Sequence, residues 1–595
     1  MKSIRIGLLC ISVLLLLCLT LSACGGEEAP AGTEAVTDAV TGTSTEAPVE
    51  EPTEAATEAA TEAATEATTE AATEATTEPE ETTEPVTDVM IGETLDAPYA
   101  SDFRVSNVFA SDMVVQRGEH LRVWGWADEA ENGRKVSGEF MGMFAEAIIE
   151  NGAWEITFGA RLEASAELGQ AMRIYTDKKE VVFENVLVGD VYMVMGQSNC
   201  AYTVENHHLY VNTPDKGGID ALDFEAPIRL HYNSQNQTAG YPKWGTEEVC
   251  PEVLSGSTWM RADSYSAIRN FTAIGYLFAH NYLKLTDSKV PIGLIEIDGN
   301  GRPIGAFMCN EVATEKGTDR YDANKGYYVT TGVNGDAGRY LYNHYMFPFE
   351  RYAIAGLIWY QGESDFQQAN ARVYAENFSA LMTYMRGTHN LVNKDFPVYF
   401  IEFPTIYQRP AGHQGDWHYM DVGLIRAVMG EIPRLLKNSH QIVSADLWSD
   451  DTFFNNLHPN CKFEQAERTA TLAAALNGEG GKTVAQGAGP VLVSMEISED
   501  GKSAVLTYEN VGEGLRTSDG GTEVKGFMLY RKNCSLNTRS EVTATITAPN
   551  QVTVVSSSKI TGIAYNAVTV NVYGKDVNLC NSEGVPAGAT VMLAE

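Results

Sequence analysis

Between about residue 186 and residue 478 the chain alternates short, unbroken apolar runs with longer stretches of helical period. The runs "VLVGDVYMVM", "VPIGLIEID", "IAGLIWY" and "FPVYFIEF" are apolar at successive positions, as strands covered on both faces must be. "IRNFTAIGYLFAHNYLKL", "ARVYAENFSALMTYMRGTH" and "FEQAERTATLAAALNG" repeat their apolar residues every three to four positions and predict helices. Strand–helix alternation of this kind predicts a three-layer α/β/α fold with a parallel sheet over 186–478. The flanks carry a different texture. From Ala100 to about Asn185, "FRVSNVFASDMVVQ", "HLRVWGWA", "MFAEAIIENGAWEITFGA" and "AMRIYTD" are short strands between Gly, Asn and Asp turn signals. They predict a small all-β domain of the sandwich type. "SAVLTYEN", "QVTVVSSS" and "AVTVNVYG" predict a second small β domain over 486–595.

The break between the last two regions, "GEGGKTVAQGAGP", contains a phosphate-loop-like Gly-Lys-Thr. The first glycine of such a loop would fall at 476, which is Leu476, and the segment follows a helical pattern where a phosphate loop follows a strand. A linker is the better reading.

Composition changes the picture chiefly at the N-terminus. The formal charge is −37 over 595 residues, and a chain of this length is expected to hold three to four domains. No Lys or Arg occurs between Arg5 and Arg104, while 21 Asp and Glu do. More than half of the excess negative charge therefore sits in one segment. No basic stripe is available to displace counterions, so a nucleic acid is not an expected partner.

That acidic segment, residues 24–99, is built on Thr-Glu-Ala-Ala and Thr-Glu-Ala-Thr units with almost no large apolar side chain. It cannot bury enough surface to offset its ordering entropy, and its four-residue spacing would stack Glu on Glu along a helix. We expect a disordered tether, and about seventy extended residues reach on the order of 230 Å. Ahead of it, Lys2 and Arg5 followed by apolar Ile6 to Leu19 form an export signal over 1–23, against the alternative of a membrane-spanning helix. Leu21-Ser22-Ala23-Cys24-Gly25 resembles a bacterial lipobox, which makes Cys24 the expected lipidation site. The protein is then expected outside the cell, held to the outer face of the cytoplasmic membrane by lipid alone. Six cysteines remain after the signal and Cys24: Cys200, Cys250, Cys309, Cys461, Cys534 and Cys580. Their scatter has no zinc-type spacing, suits free thiols as well as pairs, and specifies no disulfide.

The candidate chemistry begins where "VLVGDVYMVM" ends, in Gly196-Gln197-Ser198-Asn199. Sites in open α/β sheets gather at the carboxyl ends of strands, and a serine there can offer both a hydroxyl and an oxyanion-binding amide. The stretch is not a G-x-S-x-G elbow, because Cys200 stands at the second glycine. A plain helix cap by Ser198 is the bland alternative. "IWYQGESD" at 358–365 ends a second strand in a polar cluster, and "NNLHP" at 455–459 places His458 just before a helix.

Together these blocks resemble the SGNH (GDSL-like) hydrolases, in their sialate O-acetylesterase branch. "FASDMVVQRGEHLRVWGWADE", "ENVLVGDVYMVMGQSN", "VPIGLIEIDGNGRPIGAFM", "VKGFMLY" and "LCNSEGVPA" extend the likeness, in order, over roughly residues 103 to 590. The resemblance implies Ser198 as nucleophile and His458 as its base. It implies an oxyanion hole from the amides of Ser198 and Gly301 and the side chain of Gln361, with Asn199 and Glu363 holding the loops. It implies no metal and no organic cofactor. At the acid the chain departs from the family: Asn456 stands two residues before His458 where many members carry Asp, and Asn455 precedes it. An amide can orient an imidazole but stabilises imidazolium less, and such a replacement cost about four orders of magnitude in one well-studied triad. A Ser-His dyad, or Asp450 or Asp451 from the preceding loop, are the alternatives.

The expected reaction is thus removal of O-acetyl groups from a carbohydrate, with O-acetylated sialic acid as the implied substrate and acetylated xylan or another plant polysaccharide as the alternative. A non-catalytic glycan-binding surface protein with a degenerate site is the rival from another class. Two further features point elsewhere than to a site. His207-His208 has no carboxylate or cysteine at ligand spacing, so a surface loop is expected. Trp244, Trp259 and Trp417 are able to stack on sugar faces, though most aromatics in such a chain belong to its core.

Overall fold

The protein was analysed as a computed structural model. It describes residues 103–594 except 211–217, 234–248, 254–255, 310, 313–320, 323–326, 329–340, 367, 405–421, 448–457, 532–541 and 569–572. The expected signal, Cys24, the tether, Cys534, Trp244 and Trp417 lie outside the described residues, as do Asp450, Asp451, Asn455 and Asn456.

The central sheet contains the four predicted strands and three more. In chain order these are β1 (Leu187–Gly196), β2 (Ile228–Tyr232), β3 (Trp259–Arg261), β4 (Ile292–Asp298), β5 (Gly356–Tyr360), β6 (Val398–Ile401) and β7 (Ser439–Ile442). Their spatial order is β3-β2-β4-β1-β5-β6-β7. Every neighbouring pair is parallel except β2 with the edge strand β3. Strand β1 is buried at all ten positions, which explains its lack of polar alternation.

Helices cover both faces. Tyr192 and Val194 of β1 meet Phe278 and Gly275 of helix α1 (Ala273–Thr286). Trp359 lies opposite Met195 and so faces the other way, where its ring meets Phe378 of helix α2 (Tyr374–Thr388). The helix that follows His458, α4 (Lys462–Leu476), packs on α1, and α3 (Val422–Met429) packs on α2. The predicted three layers are present.

The flanking regions are antiparallel, as predicted. Residues 104–183 form a three-stranded and a four-stranded sheet, and residues 491–593 form a four-stranded sheet with two smaller ones. They are joined to the centre more closely than separate domains would be. Val114–Gln116 pairs in parallel with the start of β1, and one hydrophobic core runs from Phe103 to Val591. A second, smaller core belongs to the C-terminal strands. The Gly-rich connection follows α4 and carries a short helix, Val484–Gly487, with a Thr483/Gln486 capping box. Gly487 packs so closely on Leu472 that a Cβ would lie 2.4 Å from its backbone nitrogen. It is a packed joint with no strand ahead of it, which agrees with its reading as a connection.

Three smaller expectations meet the structure here. Cys200, Cys250, Cys309, Cys461 and Cys580 are free thiols. The His207-His208 pair lies on a helix, Val204–Tyr210, with His207 buried, and this corrects the expected surface loop. The His207 amide bonds to Thr203 O, and the His208 ring sits edge-on to Tyr265. Among the described residues no cluster of three or more His, Cys, Asp or Glu is placed to hold a metal. Trp259 is buried, donates to Val108 O at 3.0 Å and packs against His231, so it belongs to the core and presents no face to a sugar.

Candidate active site

The parallel register brings three strand ends side by side. Gly196 of β1 lies opposite Asp298 of β4 on one side and Tyr360 of β5 on the other. The three motif loops therefore leave the sheet at the same edge. Backbone bonds fasten them where they emerge: Gln197 N to Tyr360 O at 3.2 Å and Gly299 N to Gly196 O at 3.0 Å. Gly196 is needed at the first of these turns. Its φ is +156°, and a Cβ there would stand 2.1 Å from Tyr360 O. Ser198 then sits half-buried between buried Gln197 and Asn199. Gly301, on the neighbouring loop, has φ +68° and open space where a Cβ would be, so its backbone lies at an accessible rim.

Gln361 reaches the site, but its side chain is fully buried and occupied. Nε2 donates to Arg302 O at 2.9 Å and to Asp365 Oδ2 at 2.7 Å, with Gln197 Oε1 at 3.2 Å. Its Oε1 accepts from the Tyr374 hydroxyl at 2.8 Å. An amide nitrogen has two N–H groups, and these contacts leave neither for an oxyanion. The expected oxyanion role of the Gln361 side chain is corrected accordingly: it ties the Ser198, Gly301 and Glu363 loops together. Asp365 completes the tie by accepting from Ile304 N at 2.8 Å, and burial pushes its carboxyl up to about 6.

Asn199 and Glu363, the two residues expected to hold the loops, are joined by a direct hydrogen bond. Asn199 Nδ2 donates to Glu363 Oε1 at 2.5 Å, and Asn199 Oδ1 accepts from Lys462 Nζ at 2.7 Å. Burial raises the Glu363 carboxyl to about 7, against the opposing effect of the Asn199 bond.

His458 stands just before α4. Its ring lies nearly parallel to that of Tyr202, centroids 6.5 Å apart, and Tyr202 OH donates to Asn460 Oδ1 at 2.8 Å. Lys462 Nζ also donates to Pro459 O at 3.0 Å. The histidine segment is thus fastened to the nucleophile turn from both sides. Burial, and then the Lys462 cation, lower the His458 imidazole to about 4, so it is neutral at pH 7 and able to take a proton.

Known proteins resemble this chain in sequence and in fold. A family described as "Carbohydrate esterase, sialic acid-specific acetylesterase" matches residues 188–421. The sialate O-acetylesterases of Pongo abelii and Homo sapiens are each 26% identical over 307 residues, 49% of this chain and 54% of theirs. The likeness to the sialic acid-specific acetylesterases thus covers the central α/β region, residues 188–421. The chain spans about half the length of the curated relatives it matches. A carbohydrate acetylesterase from Xanthomonas citri superposes with a TM-score of 0.61 at 23% identity, covering 83% of this chain and all of that one, and so shares the fold.

Within the matched segment lie Ser198, Gly301 and Gln361, while His458 falls beyond it. Three residues that complete the site were not singled out from sequence. Asp365 and Tyr374 orient Gln361, and Lys462 bridges Asn199 to Pro459. The available signal for Lys462 was its place, four residues after His458 and at the first position of a helix.

Proposed function

We propose that the protein hydrolyses O-acetyl esters on a carbohydrate, and that Ser198 and His458 carry the reaction. The observation that supports this best is the shared sheet edge: the Ser198 turn, the Gly301 turn and the His458 segment are held there by one set of hydrogen bonds. Ser198 Oγ attacks the acetyl carbonyl carbon as its proton passes to His458. The carbonyl oxygen becomes an oxyanion facing the backbone N–H groups of Ser198 and Gly301. His458 protonates the departing sugar oxygen, which leaves an acetyl-Ser198 ester. Water then attacks that ester, gives a proton to His458, and acetate departs as Ser198 recovers it. Because Asn456 stands where many members carry Asp, we read the pair as a Ser-His dyad, and its neutral resting imidazole suits the base role.

O-acetylated sialic acid is the proposed substrate, supported by the description of the matching family and by the names of the curated relatives. Attachment to the outer face of the cytoplasmic membrane through acylated Cys24 is part of the same reading and rests on the lipobox-like Leu21-Ser22-Ala23-Cys24-Gly25. Acetate release from O-acetylated sialic acid, acetylated xylan and 4-nitrophenyl acetate tests the reaction. Ser198→Ala is expected to lower turnover by roughly three orders of magnitude or more. Equal rates in both proteins would refute it, and the responding glycan names the substrate class.

A further inference from the structure

Lys462 is the one lysine among the described residues that is completely buried, and it lies between the two halves of the proposed dyad. Its ammonium donates to Asn199 Oδ1, the residue after the nucleophile, and to Pro459 O, the residue after the histidine. The rings of Tyr202 and Tyr360 lie 5.1 and 4.8 Å from Nζ and add cation–π attraction in a desolvated setting. Tyr202 is also the ring stacked on His458, and Tyr360 is the end of β5 against which the Gly196 turn rests. Asn199 passes the contact on to Glu363, the buried carboxylate that offsets the charge.

Burying an ammonium costs several kcal/mol even after relaxation, so a leucine or methionine would pack here more cheaply if packing were the only need. The two bonds that the charge makes do something neither apolar residue can. They fix the residues next to Ser198 and His458 to a single atom, although 263 positions of sequence separate Asn199 from Lys462. We propose that Lys462 is a positioning residue for the esterase reaction, its charged ammonium holding the His458 segment in register with the Ser198 turn. This rests on the esterase reading above. The titratable groups that face it are Glu363 from the β5 loop, His458, Cys461, and Cys200 from the nucleophile turn. Burial holds both thiols neutral, and burial also brings Lys462 down to about 8 while Glu363 supports its charge.

The test is acetate release by the full chain across pH, for wild type, Ser198→Ala, Lys462→Met and Glu363→Gln. Lys462→Met is expected to lower kcat about 100-fold with KM within threefold, as a misplacement near 1 Å does. Its acid limb should move to higher pH, because the cation that holds both His458 and Glu363 down is gone. Glu363→Gln keeps an acceptor for Asn199 and tests the idea even if Lys462→Met does not fold. Without the carboxylate, Lys462 loses its proton sooner, so the alkaline limb of kcat should move to lower pH. A Lys462→Met protein within threefold of wild-type kcat overturns the inference. So does a loss of kcat with the acid limb unmoved, which marks a merely structural role, or an unmoved alkaline limb in Glu363→Gln. A wild type no faster than Ser198→Ala overturns the esterase reading itself, which separates the two failures.

Discussion

Replacing Gly196 with alanine should disable the site while leaving the fold in place, and the size of the effect follows from one contact. An added Cβ would lie 2.1 Å from Tyr360 O, where ordinary contacts begin at 3.4 Å. The turn must therefore retreat by about 1.3 Å, or β5 must, and Cys200 Cβ at 2.9 Å closes the other exit. Overpacking of this kind costs about 1–3 kcal/mol. The Gln197 N to Tyr360 O bond, already 3.2 Å, would be lost at about 1 kcal/mol more. Because Ser198 rides on this turn, its hydroxyl moves by a similar distance, and such a shift costs on the order of 100-fold in rate. The assay is kcat on 4-nitrophenyl acetate, with circular dichroism to confirm folding. Gly301→Ala is the comparison. Nothing lies within 4 Å of its Cβ, so only the left-handed φ of +68° is strained, at about 1–2 kcal/mol. A Gly196→Ala protein that folds and keeps kcat within threefold of wild type would refute the argument.

Two stability predictions stand beside it. Arg426 and Glu402 form a completely buried ion pair at 2.6 Å, with Glu402 also accepting from Gln441 and from Ala589 N. Arg426→Met should destabilise the protein by about 3–5 kcal/mol in urea unfolding. Adding Glu402→Gln should recover part of that loss, and a cost for the single variant below about 1 kcal/mol would contradict the account. Burial holds His231 down to about 3 and His389 to about 4, below the ordinary 6.5. Their neutral forms therefore contribute stability in full above pH 6.5, and it is lost progressively as pH falls from 6.5, the loss being complete below about 4 and 3. His231→Phe, between the rings of Trp259 and Phe349, should lose less urea resistance than wild type between pH 7 and pH 4.5. Equal losses would argue against the assignment.

The sequence disclosed those parts of the fold whose residues follow a simple rule of burial. The four predicted central strands are apolar at nearly every position and are central in the sheet. Of the three strands it concealed, β2 and β7 read "IRLHY" and "SHQI". They hide Arg229, His231 and Gln441 inside, so neither alternation nor an apolar run marks them. The places of Ser198, Gly301 and His458 in the candidate site were legible because their motifs end strands or precede a helix. The true role of Gln361 was not, since a glutamine that donates to an oxyanion and one that ties loops occupy the same place in the chain. Only its partners Arg302, Asp365 and Tyr374 distinguish them. Lys462 was hidden for a related reason. A lysine in the first turn of a helix is ordinarily solvated, and here Tyr202, Tyr360 and the Asn199 turn close over it.

The separation of Asn199 from Lys462 also has a meaning in time. At ribosomal rates of roughly 5–20 residues per second, the 263 positions between them take about 13 to 53 s to make. On the proposed dyad, the serine stands without its histidine throughout that interval, as an alcohol no more reactive than any other. On the same reading, an unfinished chain has a serine with no base and does not attack the esters it meets on the way.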